Sequence, residues 1–432
     1  MHRIKSLIRK AHQDVVRWDK EFLPILMENH RKVARAFSRH RVSQECFAGS
    51  TGYGYGDHGR DTLDAVYADV FQAEDALVRV HFASGTHVLA LALDALLPSG
   101  SHLVSLTGAP YDTLANAIGI HRPENARGPD DPLGLNESAS KGTDSAKRRR
   151  TFCEERGIRY TQIELCADAS RVEEQIPPDA TVVFIQRSRG YDPRPSLSIQ
   201  EIGALCMIAK RKAPGSLRMV DNCYGEFTQA KEPLEAGADL IAGSLIKNPG
   251  GGLAPAGGYV AGRTQLVEQI AERLTAPGVG RHIGATNGEW MRLLYQGLYL
   301  APRTVAEALR GRVFAASLFG ALGYPVSPGP DEPGRDTVLA IHFGSPQELE
   351  AFVECIQGAS PVDSHVRPRP WDMPGYGDPV IMAAGTFVSG GTSELSADAP
   401  LRPPYTAYLQ SGLSYPYTWL ALEQAAQRLL GI

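Results

Sequence analysis

The chain has 432 residues, 43% of them hydrophobic, with 44 Gly and 30 Pro; that is enough for two or three structural units with a sizeable core. Lys and Arg number 44 against 48 Asp and Glu, a formal net charge of −4, so nothing in the balance points to nucleic acid or a membrane surface as a partner. No apolar run reaches about 18 residues, the charged N-terminus lacks the apolar centre of a signal peptide, and the six cysteines form no CxxC pair, so a reducing cytoplasmic setting is expected.

In chain order, residues 3–40 carry helical spacing (Ile4, Leu7, Ile8; Val15, Val16, Trp18; Val33, Ala34, Phe37), and Pro24 is expected to divide them into two helices. A Gly- and Tyr-rich loop follows over 43–60, then helical spacing again over 61–78. From there short apolar runs alternate with helical stretches: 78–82, 103–106, 181–185, 217–220, 240–242 and 258–261 read as strands. Such alternation predicts an α/β fold with crossovers and a mainly parallel sheet. Residues 122–150 interrupt it with a polar, Pro/Gly/Ser-rich insertion ending in four basic residues, expected to be exposed. Residues 263–320 read as helical, and 338–343, 380–383 and 405–409 as strands of a smaller C-terminal unit. The expected organisation is 1–60 (N-terminal helices and loop), 61–320 (large domain) and 321–432 (small domain).

The residue that asks most of its surroundings is Lys247, in Gly243-Ser-Leu-Ile-Lys-Asn-Pro-Gly-Gly-Gly252. A lysine is costly beside an apolar strand. Desolvation would make its amine less protonated and more nucleophilic, fit to form a Schiff base with a carbonyl, and the glycines would let a bulky group approach. Three other stretches supply matching parts. Ser84-Gly85-Thr86 turns from a strand into a helix, where free amides, the helix dipole and two hydroxyls suit a phosphate; an ordinary helix cap is the plainer reading. Asp221 ends an apolar strand, where α/β sheets bind ligands, and could face a heterocyclic nitrogen or simply cap the next helix. Tyr111 follows a turn and could stack on a flat ligand. A phosphate cradle, a ring partner, an acid for a ring nitrogen and a Schiff-base lysine are the parts pyridoxal 5′-phosphate requires.

The residues also carry a family likeness. His40-Arg-Val-Ser43, Thr51-Gly-Tyr-Gly-Tyr-Gly56, Gly59-Arg-Asp-Thr-Leu63, Phe82-Ala-Ser-Gly-Thr-His87, Pro110-Tyr-Asp-Thr-Leu114, Gln186-Arg-Ser-Arg-Gly190, Val220-Asp-Asn-Cys-Tyr-Gly-Glu-Phe227, the Lys247 segment, Glu394-Leu-Ser-Ala397 and the surroundings of Arg402 resemble the methionine gamma-lyase-like, "aluminium resistance" group of fold-type-I pyridoxal phosphate enzymes, relatives of cystathionine lyases. The resemblance implies a large domain with a seven-stranded, mostly parallel sheet and a smaller C-terminal α/β domain. It implies that Lys247 holds the cofactor and shuttles protons, Asp221 pairs with the ring nitrogen and Tyr111 stacks on the ring. Ser84, Gly85, Thr86 and Ser244 would hold the phosphate. Tyr53 or Tyr55, with Arg60, would reach the phosphate of a neighbouring subunit, making a homodimer or homotetramer with shared sites. Arg402 would clamp the carboxylate of a small amino-acid substrate.

The expected activity is therefore carbon–sulfur elimination from a sulfur-containing amino acid. The alternatives are an aminotransferase, which shares the cofactor parts, and a cofactor-binding protein of low turnover linked to metal tolerance. No HExxH or paired CxxC indicates a metal site, and Gly54-Tyr-Gly-Asp-His-Gly59, a GxGxxG match, does not follow a clear strand as a dinucleotide site would.

Overall fold

The computed structural model describes residues 2–53, 56–120, 150–165, 169–373, 376–391 and 393–432. Tyr55, and the insertion at 122–150 apart from its last residue, lie outside the described residues.

Helix α1 (His2–Arg39) leads through a short 3₁₀ turn to α2 (His58–Phe71), β1 (Asp75–Arg79), α3 (Gly85–Leu96), β2 (His102–Ser105), α4 (Asp112–Ile118) and α5 (Phe152–Glu155). Then come β3 (Arg159–Gln162), α6 (Ala169–Gln175), β4 (Val182–Gln186), α7 (Ile199–Lys212), β5 (Leu217–Asp221), β6 (Leu240–Ser244), β7 (Gly258–Gly262) and α8 (Thr264–Leu274). The long α9 (Gly288–Leu322) precedes β8 (Val326–Ser327), β9 (Val338–His342), α10 (Pro346–Ala359), β10 (Val380–Ala383), β11 (Ser396–Pro400), β12 (Thr406–Gln410) and α11 (Tyr415–Leu429).

Seven strands form one sheet in the order β1-β7-β6-β5-β4-β2-β3, and five form a second, antiparallel sheet in the order β10-β11-β12-β9-β8. In the large sheet β2, β3, β4, β5 and β6 run parallel, and β7 runs against both β6 and β1. Two reversals restore direction, so β1 runs with β6, and six strands present their carboxyl ends along one edge. β2, β4, β5, β6 and β7 are buried along nearly their whole length, as a sheet covered on both faces requires. The seven-stranded, mostly parallel sheet with a smaller second sheet is the predicted fold-type-I architecture.

Three local expectations change. Pro24 does not divide the first helix: α1 is one helix of 38 residues with Pro24 inside it. Ile4, Ile8, Ala11, Val15, Trp18, Phe22, Val33 and Ala36 form one buried stripe, packed mainly against α9. Pro24 and Lys20, whose carbonyl loses its helical donor, are both exposed, so water replaces the missing bond and burial of the stripe outweighs the ~3 kcal/mol cost of an interior proline. The strand expected at 78–82 lies at 75–79, because Gly262 back to Gly258 pair with Asp75 to Arg79 and leave His81 and Phe82 in the turn towards α3. Helix does not run unbroken from 263 to 320: residues 275–287 separate α8 from α9 and include bridges Ser50–Thr286 and Tyr53–Ile283, which pin the N-terminal loop.

Candidate active site

The carboxyl edge of the large sheet collects most of the chemistry. Asp221 is the last residue of β5, in register with Gln186 of β4 and Ala242 of β6. Its carboxyl is 4% exposed and Oδ1 accepts from the Cys223 backbone amide at 3.0 Å. Burial pushes its pKa upward, and Lys247 opposes that. Ser244 ends β6, and Lys247 stands three residues on, just before the Asn248–Gly250 turn. Pro249 has no N–H to offer and Gly251 takes a left-handed φ of 56°, so the chain turns sharply and leaves Lys247 on the inner side of the site.

Lys247 Nζ lies 3.8 Å from the centre of the Tyr224 ring. Desolvation lowers its pKa, but Cys223, Tyr224, Asp221 and Tyr111 around it outweigh that and hold the ammonium well above its ordinary value. The sequence expectation of a lysine poised as a free amine through desolvation is thus corrected: the acids that a ligand-binding site gathers around Lys247 keep it charged until a ligand changes that balance. Tyr224 is pushed up to about 12 by burial, and Lys247 works against that.

Tyr111 caps α4. Its amide donates to Gln186 Oε1 at 3.0 Å and its hydroxyl donates to Thr86 Oγ1 at 3.2 Å. Burial raises its pKa far above that of a free tyrosine, Asp221 acting the same way and Lys247 against, so the phenol is neutral at physiological pH. Thr86 in turn contacts Thr113 Oγ1 at 2.9 Å, which ties the first turn of α3 to α4. Ser84 caps α3, accepting from the His87 amide at 3.1 Å, so the plain cap reading of Ser84 holds in this geometry. The amides of Gly85 and Thr86 come earlier in the turn, where a helix supplies no acceptor. A Cβ built on Gly85 would lie 3.3 Å from Ser244 Cβ, and the Ser244 hydroxyl, 1% exposed, has no hydrogen-bond partner. An orphaned buried hydroxyl beside the start of a helix whose side chain is missing is a cradle for an anion.

The structure therefore brings Ser84, Gly85, Thr86, Tyr111, Asp221, Ser244 and Lys247 to one edge. The other described candidates are Tyr53, Arg60 and Arg402. Tyr53 is 91% exposed on its pinned loop. Arg60 is 2% exposed in the first turn of α2, with Nε and Nη1 unpaired by hydrogen bonds. Arg402 lies in the turn between β11 and β12, paired with Asp378 at 2.8 Å.

Several further residues at the site are given no role by the sequence motifs. Gln186 anchors Tyr111. Tyr224 and Tyr191 pack against Val338, Ala340 and Tyr408 of the small sheet, which thereby closes one side of the site. Asp398 on β11 feels the Lys247 charge across that boundary. Glu226 lies behind β6, wholly buried, with Oε1 accepting from the Tyr259 hydroxyl at 2.9 Å and Oε2 without a partner. Tyr224 and Glu226 lie within the Val220–Phe227 motif, Gln186 opens the Gln186–Gly190 motif, and Tyr191 and Asp398 each follow a motif by one residue, yet the motifs assign none of them a role at the site.

The donor set fits pyridoxal phosphate: an anion cradle, a buried carboxylate, an anchored phenol ring and a lysine converge, and the orphaned Ser244 hydroxyl is what a phosphate oxygen would satisfy. A profile of the methionine gamma-lyase family matches residues 4–129 and 142–430. YnbB of Bacillus subtilis (strain 168), itself uncharacterized, is 41% identical over 431 residues, covering 99% of this chain and 96% of its own. A solved structure from Clostridium novyi NT, described as a carbon-sulfur lyase involved in aluminum resistance, is 41% identical, covers 99% of this chain and 96% of its own, and superposes with a TM-score of 0.88. The methionine gamma lyase CalE6 from Micromonospora echinospora shares the fold at 16% identity and a TM-score of 0.56, over 88% of this chain and 87% of its own. With a profile and near-full-length relatives agreeing over almost the whole chain, and the site parts at the positions the motifs marked, this chain belongs to the methionine gamma-lyase family.

Proposed function

We propose that this chain is a pyridoxal phosphate-dependent lyase that breaks the carbon–sulfur bond of a sulfur-containing amino acid. The observation that carries the reading is the convergence of Lys247, Asp221 and Tyr111 with the orphaned Ser244 hydroxyl beside the first turn of α3. Family membership and the carbon-sulfur lyase description of the Clostridium novyi relative support it. When bound, the cofactor supplies an electron sink for the carbanion left by loss of the substrate's α-proton.

The chain's own residues do the rest. Ser84, Gly85, Thr86 and Ser244 would hold the phosphate through first-turn amides and hydroxyls. Asp221 would keep the ring nitrogen protonated, which a buried carboxylate does best because its own charge needs that partner. Tyr111 would stack on the ring, and as a neutral phenol it could give a proton to the departing sulfur. Lys247 Nζ takes up the α-proton, with Tyr224 and the surrounding acids setting its charge. Arg402 can clamp the substrate carboxylate only by exchanging Asp378 for it, since that pair already holds the guanidinium. Tyr53, exposed on a pinned loop, is placed to reach a second copy of the chain; Arg60 is buried within its own chain and would join it only at a subunit boundary. A homodimer or homotetramer with shared sites is part of the proposal. The five described cysteines are free of disulfides, in keeping with a reducing cytoplasmic setting. Among the described residues no helix is long and apolar enough to cross a membrane.

The test is a substrate panel. With L-cystathionine, S-alkyl cysteines or L-methionine, the lyase releases a thiol, ammonia and a 2-oxo acid without added acceptor. Turnover that requires a 2-oxo acid and frees no ammonia would make it an aminotransferase instead, and cofactor binding with no product would make it a binding protein.

A further inference from the structure

Two residues of the loop after β5 hold a backbone conformation that large side chains rarely adopt. Tyr224 has a φ of 69° and Phe227 one of 62°, both in the left-handed region. For a bulky residue that conformation is strained, and it persists only where the surroundings over-determine it. Here they do so through Arg187, whose side chain is wholly buried. Its Nη1 donates to Asn222 Oδ1 at 2.7 Å and its Nη2 to Thr228 Oγ1 at 3.1 Å, while the Thr228 hydroxyl donates to the Gly225 carbonyl at 2.7 Å. Glu232 ties the same stretch together, accepting from Asn222 Nδ2 at 3.0 Å and from the Phe227 amide at 2.9 Å. A Cβ at Gly225 would run into the Arg187 guanidinium, so the loop closes over that group only with glycine there. The chain is thus clamped on both sides of Tyr224.

What the clamp achieves is the placement of one ring. Tyr224 packs against Val338, Ala340 and Tyr408 of the small sheet, and its ring face lies 3.8 Å from Lys247 Nζ. The face of an aromatic ring carries negative charge density and attracts an ammonium, most strongly where water is excluded; a neutral amine gains nothing comparable. In the lyase reading, on which this inference rests, Lys247 is a free base that becomes an ammonium when it takes up the α-proton, and it must then stay within reach of the groups it serves. The other titratable groups that face it are Asp221, Cys223 and Glu226 from β5 and the loop after it, Tyr111 from α4, Asp398 from β11, and Tyr376. Among the described residues, Tyr224 is the one whose ring face meets Nζ. We propose that Tyr224 is a positioning residue for Lys247: its clamped ring holds the ε-ammonium in the site, and does so through the ring face and not through the hydroxyl.

The test removes the lysine and offers its headgroup free. The full chain carrying Lys247→Ala, without cofactor, is dialysed at neutral pH against radiolabelled methylammonium, a cation the size of the missing headgroup. Binding is expected, because the ring and the acids remain. Adding Tyr224→Leu, which keeps the bulk and the exclusion of water, should weaken binding roughly three- to thirtyfold, the range of a cation–π contact partly shielded from water. Adding Tyr224→Phe, which keeps the ring face, should leave binding within about twofold. No binding to Lys247→Ala, equal binding with and without Tyr224→Leu, or a loss in Tyr224→Phe as large as in Tyr224→Leu overturns the proposal. If Tyr224→Leu unfolds the chain by circular dichroism, Tyr224→Asn, which suits a left-handed backbone and has no ring, decides by the same outcomes. No substrate enters the measurement, so a substrate panel without product fails the lyase reading and leaves this result standing.

Discussion

Glu226 offers the sharpest check on the electrostatics behind β6. Its side chain is fully buried, one carboxyl oxygen accepts from Tyr259 and the other has no partner. Its backbone carbonyl receives Asn248 Nδ2 at 3.0 Å, so Glu226 also backs the turn that carries Lys247. Burial pushes its pKa up to about 8, against an ordinary 4.5. The folded protein therefore holds a proton that the unfolded chain has already lost. The sign follows from linkage: the stability that Glu226 contributes in its neutral form is fully present below the ordinary value and is lost as pH rises through about 8. A gap of about 3.5 pH units corresponds to an upper limit of ~5 kcal/mol. Glu226→Gln keeps the acceptor for Tyr259 and removes the ionisation. Its midpoint of thermal unfolding, followed by circular dichroism without added cofactor, should match wild type within a few degrees at pH 5 and exceed it at pH 9. At on the order of 1–2 °C per kcal/mol for a chain of this length, the gain at pH 9 is several degrees. Asp221 and Glu232 are also raised by burial and tilt both curves; Glu232 raises Glu226 in turn, so the difference between the two proteins reports Glu226 together with that coupling. Parallel curves for variant and wild type across pH 5–9 would refute the reasoning.

Other consequences follow from the same geometry. Gly85→Ala puts a methyl 3.3 Å from Ser244 Cβ, in the cradle; cofactor affinity by fluorescence titration should fall about tenfold with the fold intact, and an unchanged value would show that the phosphate lies elsewhere. Ser244→Ala, which removes an orphaned hydroxyl, should leave the unfolding midpoint of the cofactor-free protein within a degree or two of wild type while weakening the cofactor by a comparable factor. Arg402→Lys should raise KM roughly tenfold with kcat little changed if the guanidinium exchanges Asp378 for the substrate carboxylate; kinetics equal to wild type would confine Arg402 to that pair.

How much was legible from sequence depends on what made each feature visible. Lys247, Asp221 and Ser84–Thr86 stand out because each ends an apolar run, and in a parallel sheet such runs all deliver their ends to one edge. β11 was invisible: Ser396-Ala-Asp-Ala-Pro400 has almost no strand character and is a strand because β10 and β12 flank it. With β11 went Asp398, which no local pattern connects to Lys247. β3, short and half-exposed at the sheet's edge, was missed for want of alternation. Pro24 misled because helix propensity was weighed without the stripe that α9 covers. The charge on Lys247 misleads in a different way: burial alone lowers an ammonium's pKa, and only the structure shows how many acidic groups gather around it.

The central claim is that Lys247 is the residue to which the cofactor attaches. Wild type and Lys247→Ala, each incubated with pyridoxal phosphate, reduced with borohydride and digested, can be compared by peptide mass spectrometry. A pyridoxyl adduct is expected on Lys247 at close to one per chain in wild type and none at that peptide in the variant. An adduct at another lysine, or equal labelling of the two proteins, would contradict it.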